Sequence, residues 1–350
     1  MTDVATLWPG MLAALVRGDE IPPAIAEAAL SVILEGRATD AQIAGFAVLL
    51  RAKGETPGEL AALVRTMLRY SEHVDAAGDT PLVDTCGTGG DLQGTINVST
   101  LAALVTAGAG VRIAKHGNRA QSSKCGSADV LEALGVVIDL GPRGVEQTIA
   151  ECGMGFCFAP RFHPALRFAG AARRELGIPT TFNFLGPLAN PAGAKRRTVG
   201  VSDPAMAERM INTLAELGAE HALVFYGHDG LDELTTTTTS TVLELRDGEM
   251  RTYDVDPVAL GLAPATRADL AGADAPANAD VVHQVLAGDA GPKRDIVLLN
   301  AAAALIVGGR VESLDDGIAL AAEVIDDGRA AKALVGFVHA SVAARDAGEA

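Results

Sequence analysis

From residue 81 onward, short apolar segments typical of β-strands alternate with segments that have helical spacing. The strand-like segments are 81–86, 111–115, 136–140, 156–158, 198–202 and 222–227. Helices are predicted over 98–107, 127–134, 143–152 and 204–217, with several more beyond residue 280. This alternation favours an α/β fold, in which helices flank a mainly parallel sheet. In such sheets, ligands bind at the carboxyl ends of the strands.

The first 70 residues contain helical patterns only. Two of these helices are expected to begin at capping boxes, in which a threonine is followed three residues later by Gln or Glu. The pairs are Thr39 with Gln42 and Thr56 with Glu59. Four short helices without an intervening strand predict a small all-helical N-terminal domain ahead of the larger sheet domain. The polar, glycine-containing stretch 71–80 is the expected boundary.

The overall charge excludes several kinds of partner. The chain has 44 acidic and 28 basic residues, a formal net charge of −16. Because an acidic surface repels nucleic acids and anionic membranes over any large contact area, neither is expected as a partner. The longest apolar stretch, 296–307, is too short to span a bilayer, and residues 1–10 lack the pattern of a signal peptide. With four cysteines and no CxxC pair, a reducing, cytoplasmic location is expected.

Two segments depart from the average acidity. No Asp or Glu occurs in the 37 residues between Asp91 and Asp129. Between residues 152 and 202, Glu175 is accompanied by seven basic residues. Buried strands are uncharged in any case, which is one explanation. The other is an anion-binding pocket in an otherwise acidic protein.

A glycine-rich turn follows the first predicted strand. Residues 87–91 read Gly-Thr-Gly-Gly-Asp, and 95–100 resemble a helix N-terminus rich in hydroxyl groups. Glycine permits positive φ, so that successive N–H groups can surround phosphate oxygens, and a helix N-terminus favours an anion. The turn is neither a Walker loop nor the GxGxxG dinucleotide pattern. Taken alone it is weak support for a phosphate site, since many such turns use glycine for packing.

Further candidates for phosphate contact follow the second predicted strand. Lys115 and Arg119 flank His116, Gly117 and Asn118, and both cations suit phosphate. A polar segment then leads to Ser127, which is either an ordinary helix N-cap or a ligand contact.

Asp232 and Glu233 stand side by side in a predicted turn after the last strand. Such a pair usually lies in a solvated loop. Beside a pyrophosphate it would suit Mg²⁺, which prefers a few carboxylates, water and substrate phosphate oxygens. Composition does not decide between the two.

Taken together, these motifs resemble the anthranilate phosphoribosyltransferase family, whose fold is shared with pyrimidine nucleoside phosphorylases. The resemblance spans nearly the whole chain. It is carried by 87–91, 97–100, 115–119, 122–134, 158–160, 163–165, 173–177, 182–191, 230–233 and 295–304. It implies transfer of the phosphoribosyl group of phosphoribosyl pyrophosphate (PRPP) to the amine of anthranilate, the second step of tryptophan biosynthesis from chorismate. It also implies two Mg²⁺ ions per subunit and a homodimer.

The resemblance implies a role for individual residues. PRPP contacts are implied for Gly87, Gly90, Asp91, Thr95, Asn97, Val98, Ser99, Thr100, Lys115, His116, Gly117, Asn118, Arg119, Ala120, Gln121, Ser122, Ser123 and Ser127. Anthranilate contacts are implied for Gly87, Asn118, His163 and Arg173, and magnesium ligands for Ser99, Asp232 and Glu233. A residue acting as general acid or base is not implied, although His116 lies nearby. Residues 1–73 with part of 163–190 are expected to form the helical, dimer-forming domain, and 74–162 with 191–350 the α/β PRPP-binding domain.

The chain departs from the family pattern at Leu92, Ile96, Gln121 and Cys125, at 170–172 before Arg173, and at 235–240. These departures remove no charged group and no implied metal ligand. Three alternatives stay open: a pyrimidine nucleoside phosphorylase that uses inorganic phosphate, a non-catalytic nucleic-acid-binding relative of the fold, and a binding or scaffold module.

Overall fold

The N-terminal part of the chain is helical, as predicted. The computed structural model describes residues 4–76, 78, 80–91, 93–120 and 123–349. Its first four helices are α1 (Val4–Val16), α2 (Pro23–Leu34), α3 (Asp40–Lys53) and α4 (Pro57–Arg69). Both capping boxes are confirmed: Thr39 Oγ1 accepts a hydrogen bond from the Gln42 amide, and the Thr56 amide donates to the Glu59 carboxylate at 2.8 Å. These bonds satisfy amides that the helix itself leaves unpaired.

One seven-stranded sheet forms the centre of the molecule, in the order β3-β2-β1-β4-β5-β6-β7. The strands are β1 (Leu82–Gly87), β2 (Arg112–Gly117), β3 (Met154–Phe158), β4 (Arg196–Gly200), β5 (His221–Gly227), β6 (Ser240–Arg246) and β7 (Glu249–Val255). The pairs among β1 to β5 are parallel, whereas β5 with β6 and β6 with β7 are antiparallel. The predicted mainly parallel sheet is therefore correct, with an antiparallel extension at one edge.

The order of the first five strands reverses between β1 and β4. In open α/β sheets, ligands bind in the crevice beside such a reversal, at the carboxyl ends of the strands. In this chain those ends are Gly87 and Gly200, which pair in register.

The remaining helices cover the sheet. They are α5 (Val98–Gly108), α6 (Ser127–Ala133), α7 (Pro142–Cys152), α8 (Ala159–Phe162), α9 (Gly170–Leu176), α10 (Phe182–Leu188), α11 (Pro204–Glu216), α12 (Ala275–Leu286), α13 (Pro292–Val307), α14 (Leu314–Asp326) and α15 (Arg329–Asp346), with a 3₁₀ helix at Pro164–Ala169. The predicted helices correspond to α5, α6, α7, α11 and the C-terminal set. Among the described residues, no helix is both long and apolar enough to cross a membrane.

Two buried clusters of apolar side chains fill most of the interior. One joins β1, β2 and β3 to α5 and α13, as with Val83, Leu101 and Leu299. The other joins α1–α4 to α9, α10, α11 and one face of β4, as with Phe46 and Val199. Since this second core runs from the N-terminal helices onto the sheet, the helical part is held firmly against the strands. The division of the chain into the two domains given above stays a prediction.

The predicted strand over 136–140 is wrong. Val136, Ile138 and Leu140 are buried at alternate positions, which is the pattern of a strand. The backbone nevertheless pairs with no neighbouring strand in the described sheet, and the Val137 amide instead donates to Ser341 Oγ at 3.0 Å. Alternating burial here comes from a connection that lies along the core between α6 and α7.

Candidate active site

Two glycines let the carboxylate-bearing turn enter the crevice between β1 and β4. A Cβ atom on Gly87 would lie 2.5 Å from Asp232 Oδ2, and one on Gly200 would overlap the Asp232 carbonyl oxygen. Any side chain at either position would therefore displace Asp232. The turn that carries Asp232 and Glu233 lies directly at the paired strand ends.

The glycine-rich turn closes over the same place. Gly89 and Gly90 have φ values of +64° and +81°, which a side chain would strain. The Gly89 amide donates a 2.7 Å hydrogen bond to Asp232 Oδ2. Ser202 Oγ donates to the Gly89 carbonyl at 2.8 Å, and the Thr88 amide donates to the Gly200 carbonyl at 2.9 Å. The turn is thus fastened to β4 on one side and to Asp232 on the other.

Three carboxyl groups meet under this turn. Asp91 and Asp232 lie close enough for each carboxyl group to shift the pKa of the other. Burial, followed by the charge of Asp91, raises the pKa of Asp232 to about 7. Burial and the charge of Asp232 raise the pKa of Glu233 well above its usual value, and burial raises that of Asp91. Each carboxylate is therefore more costly to ionise here than in water, and a cation would remove that cost.

The carboxyl groups do not form a complete metal cage. Across the described ranges, no three His, Cys, Asp or Glu side chains are arranged to hold a metal ion by themselves. Mg²⁺ typically takes only one or two protein carboxylates and completes its shell with water and substrate phosphate. This donor set of hard oxygen atoms fits that pattern.

Lys115 is the one cation buried against these carboxylates in the part of the chain that the structure describes, and its side chain is only 1% exposed. Its ammonium group donates to the Thr85 carbonyl and, at 3.2 Å, to Ser99 Oγ. Burial lowers the pKa of Lys115, and the charges of Asp84 and Glu233 partly offset that effect. The Ser99 amide donates to Glu233 at 3.2 Å. Ser99 therefore contacts both Lys115 and Glu233.

Asn97 precedes α5 and is held by other parts of the protein. Its Oδ1 accepts a 2.9 Å hydrogen bond from Asn278 and a 3.4 Å contact from Cys125 Sγ, while its Nδ2 donates to the Cys125 carbonyl. Thr95 forms an antiparallel bridge with Ala271. Val98 and Thr100 are buried in the core. Of the predicted contacts at this helix start, Ser99 alone contacts the carboxylate cluster.

The segment after β2 folds back on α6. A Cβ on Gly117 would overlap Ser127 Oγ, and that hydroxyl donates to the Asn118 carbonyl at 3.3 Å. The N-cap of α6 is Gly126, so the alternative that Ser127 is the N-cap is wrong. Asp129 takes over capping by accepting from the Gly126 and Ala120 amides.

Arg119 makes ion pairs with Asp129 at 3.0 Å and Glu132 at 2.8 Å. Its guanidinium is thereby held on α6, away from the carboxylate cluster. Ser123 is exposed. The predicted contacts Gln121 and Ser122, like the departure at Leu92, lie outside the described residues.

Two buried histidines contact each other beside α10, with ring centroids 5.1 Å apart. His116 Nδ1 lies 3.0 Å from the Gly186 carbonyl, and His163 Nε2 lies 3.1 Å from the Ala189 carbonyl. Because a carbonyl only accepts, both nitrogens must be protonated donors. No described residue pairs with the other nitrogen of either ring. Burial lowers the pKa of His116 to about 4 and that of His163 to about 3, so both are neutral.

Arg173, which lies on α9, also contacts α10. Its guanidinium lies 5.6 Å from the centroid of the Phe182 ring, at the start of α10. Within the described residues, no carboxylate lies within ion-pair distance of Arg173, and burial lowers its pKa. Arg174, by contrast, is exposed. Helix α10 thus brings Arg173, His116 and His163 to one region, and Arg173 retains its charge for an incoming carboxylate.

Several supporting residues escaped the sequence analysis. Asp84 is buried inside β1, where it accepts from the His116 amide at 3.0 Å and from Asn190 Nδ2 at 2.8 Å. Asn300 is buried inside α13. The available signal was a single polar residue in an apolar segment, since a buried polar side chain is almost always hydrogen-bonded in a folded protein.

Comparison with known proteins agrees with this arrangement. Residues 79–331 match the family described as "Glycosyl transferase family, a/b domain", and 9–71 match its helical bundle domain. The chain is 52% identical over 345 residues to anthranilate phosphoribosyltransferase of Salinispora arenicola, covering 97% of this chain and 98% of the other.

Solved structures of similar proteins superpose closely. The enzyme of that name from Thermus thermophilus has a TM-score of 0.89 at 40% identity, covering 94% of this chain and 98% of the other. The enzyme from Saccharomyces cerevisiae in complex with PRPP and Mg has a TM-score of 0.89 at 28% identity, covering 97% and 99%. Its complex with 4-fluoroanthranilate has a TM-score of 0.87 at 28% identity, covering 97% and 98%.

Proposed function

The chain belongs to the anthranilate phosphoribosyltransferase family, and we infer that it transfers the 5-phosphoribosyl group of PRPP to the amine of anthranilate. The products are N-(5-phosphoribosyl)anthranilate and pyrophosphate, and the reaction is a step of tryptophan biosynthesis. The main structural support for this function is a group of polar side chains under the glycine-rich turn. Its members are Asp91, Asp232, Glu233, Ser99 and Lys115. The similar enzyme from Saccharomyces cerevisiae is in complex with PRPP and Mg, which supports PRPP and magnesium as the ligands proposed for this chain.

We assign the magnesium ligands to Ser99, Asp232 and Glu233, with Asp91 beside them. The raised pKa values of the three carboxyl groups support this, since a divalent cation favours their ionised forms. Magnesium, when bound, would neutralise the charge that develops on pyrophosphate as it leaves. We also propose that each subunit binds two Mg²⁺ ions, because two ions suit three carboxylates better than a single ion would.

The protein's own residues bind and orient the substrates. The glycine-rich turn 87–91 would surround the pyrophosphate, with Lys115 fixing Ser99 below it. Because the Thr88 and Gly89 amides donate to the Gly200 carbonyl and to Asp232, they would have to leave these partners to contact a phosphate.

We assign the binding of PRPP to the residues for which the resemblance implies PRPP contacts. These residues lie around the glycine-rich turn and around β2 and α6. Because Arg119 is ion-paired on α6, its contact with a phosphate would require it to leave Asp129 and Glu132.

Anthranilate would bind between the glycine-rich turn and α10. Arg173 offers a guanidinium fork that suits a carboxylate bidentately, and Gly87, Asn118 and His163 complete the proposed contacts. The aromatic amine is already a neutral nucleophile. No general base is therefore assigned, and catalysis consists of positioning and electrostatic stabilisation.

The assay is the loss of anthranilate fluorescence on addition of PRPP and Mg²⁺. Arg173→Ala should raise the KM for anthranilate by about tenfold or more, because a charged hydrogen-bond pair is lost, and leave the KM for PRPP unchanged. Arg174→Ala is the matched control, since its guanidinium is exposed one residue away. A rise in the PRPP constant instead would contradict the role of Arg173. Phosphate-dependent cleavage of thymidine, without anthranilate turnover, would favour the phosphorylase alternative.

We also propose how the chain assembles and where in the cell it is located. We assign the helical part, residues 1–73 with part of 163–190, to the contact of a homodimer, and the protein to the cytoplasm. Val16, Phe168 and Ile178 support the dimer, since their apolar side chains are 70%, 39% and 56% exposed there. Light scattering should give twice the mass of one chain, and a monomer at micromolar concentration would contradict the assignment.

A further inference from the structure

Asn300 lies at the middle of α13 in a segment that is otherwise entirely apolar. Residues 296–307 read Ile-Val-Leu-Leu-Asn-Ala-Ala-Ala-Ala-Leu-Ile-Val, and Asn300 is only 3% exposed. Burying an unpaired amide is strongly unfavourable. A leucine here would fill the same space without that cost, so the amide group must be needed for its hydrogen bonds.

Those bonds go mainly to one residue. Asn300 Oδ1 accepts from the Leu234 amide at 3.0 Å, and Asn300 Nδ2 donates to the Leu234 carbonyl at 2.8 Å. A further bond from Nδ2 reaches the Ile296 carbonyl, one turn earlier in α13. Both backbone polar groups of Leu234 are therefore satisfied by one side chain. The peptide planes on either side of Leu234 are fixed relative to a long, buried helix.

Leu234 directly follows the carboxylate pair. The peptide bond that Asn300 fixes at its amide is the one joining Glu233 to Leu234. On the opposite side, Asp232 is held by the Gly89 amide at 2.7 Å and Glu233 by the Ser99 amide at 3.2 Å. The carboxylate pair is thus anchored to the glycine-rich turn and α5 at its carboxyl groups, and to α13 through its backbone.

We propose that Asn300 is a positioning residue for the metal-binding carboxylates Asp232 and Glu233, acting through the backbone of Leu234. This inference rests on the proposed function. It explains why an amide is buried in α13: the amide holds the geometry of a site with which it has no direct contact. Residues that orient metal ligands typically affect metal affinity by 10- to 100-fold.

The test compares Asn300→Leu with Leu305→Ala. Leu305 is fully buried in the same helix, so its truncation destabilises the core without altering a bond to Leu234. Mn²⁺ binding in the presence of pyrophosphate, followed by electron paramagnetic resonance, measures the metal site without turnover. We expect about tenfold weaker Mn²⁺ binding for Asn300→Leu and unchanged binding for Leu305→Ala. The KM for anthranilate should change in neither.

Asn300→Ser is a second variant in case Asn300→Leu does not fold. Its hydroxyl can bond to the Ile296 carbonyl but is too short to span both groups of Leu234, so weaker Mn²⁺ binding is again expected. Wild-type affinity in a folded Asn300 variant, or equal weakening in Leu305→Ala, would overturn the inference. Failure of the wild-type protein to convert anthranilate would instead overturn the proposed function, which keeps the two results distinct.

Discussion

The buried pair His116 and His163 makes a quantitative prediction about stability in mild acid. Both rings are neutral in the folded protein, because burial lowers their pKa values to about 4 and about 3. In the unfolded chain a histidine has a pKa of roughly 6.5. As the pH falls from about 6.5 toward 4, the two histidines become protonated in the unfolded state but stay largely unprotonated in the folded state. Stability contributed by these neutral rings is therefore complete above about pH 6.5 and declines below it.

The magnitude follows from the two pKa values. At pH 5 the unfolded form of each histidine gains about 2 kcal/mol from protonation, while the folded form gains almost none. The pair accounts for about 4 kcal/mol, which is a large part of an ordinary free energy of unfolding. Asp232 acts in the opposite direction, because its pKa is raised to about 7 and its folded form binds a proton first. The histidine contribution must therefore be measured as a difference between variants.

The assay is urea unfolding of wild type and His163→Gln at pH 7.5 and pH 5.0, followed by circular dichroism. Glutamine removes the titrating ring and keeps a donor for the Ala189 carbonyl. Whatever it costs at pH 7.5, the variant should lose about 2 kcal/mol less than wild type on going to pH 5.0. His283→Asn is the control, since its ring is exposed on α12. Equal losses in wild type and His163→Gln would refute the argument that burial keeps this ring neutral.

Three further predictions concern single substitutions. Gly200→Ala should abolish turnover while the circular dichroism spectrum stays that of a folded protein, because the new methyl group overlaps the Asp232 carbonyl. Thr39→Ala should lower the free energy of unfolding by about 1 kcal/mol in urea titration, through loss of the capping box, with unchanged KM values. Cys125→Ser should leave the KM for PRPP unchanged, because a serine hydroxyl also donates to Asn97 Oδ1; a tenfold change would show that the sulfur has a role of its own.

Much of the fold follows from local patterns in the sequence. Capping boxes, apolar runs that end near glycine, and helical spacing locate the starts of α3 and α4, and locate α5–α7, α11 and the first five strands to within a few residues. The hairpin β6–β7 is absent from the predicted strands, although its turn is Asp247-Gly248, with φ values of +51° and +85°. That dipeptide between alternating residues is a strong hairpin signal. The segment 136–140 shows the opposite error, since burial at alternate positions does not require a partner strand.

The site is harder to predict than the fold, because its geometry depends on contacts between distant segments. The motifs at Gly87 and Asp232 come together because β1 pairs with β4 and β4 pairs with β5, and no local pattern encodes that strand order. Likewise, an arginine in a phosphate-binding motif gives no sign that it is ion-paired in the folded chain, as Arg119 is. Asn300 stands out within its apolar run, but its partner Leu234 lies 66 residues away.

The acidity of the chain acquires a specific meaning at this site. Overall negative charge is unfavourable for a large polyanionic partner, yet it sets no such limit on a small phosphorylated substrate, because that substrate would meet only the crevice under the glycine-rich turn. There, Lys115 is the cation buried against Asp232 and Glu233 among the described residues, and Asp91 lies beside Asp232. The pKa values of these carboxyl groups are raised, and ionising all three beside one ammonium would create a local excess of negative charge that repels pyrophosphate. Pyrophosphate should therefore bind tightly only together with a divalent cation, which favours the ionised carboxylates and offsets their charge.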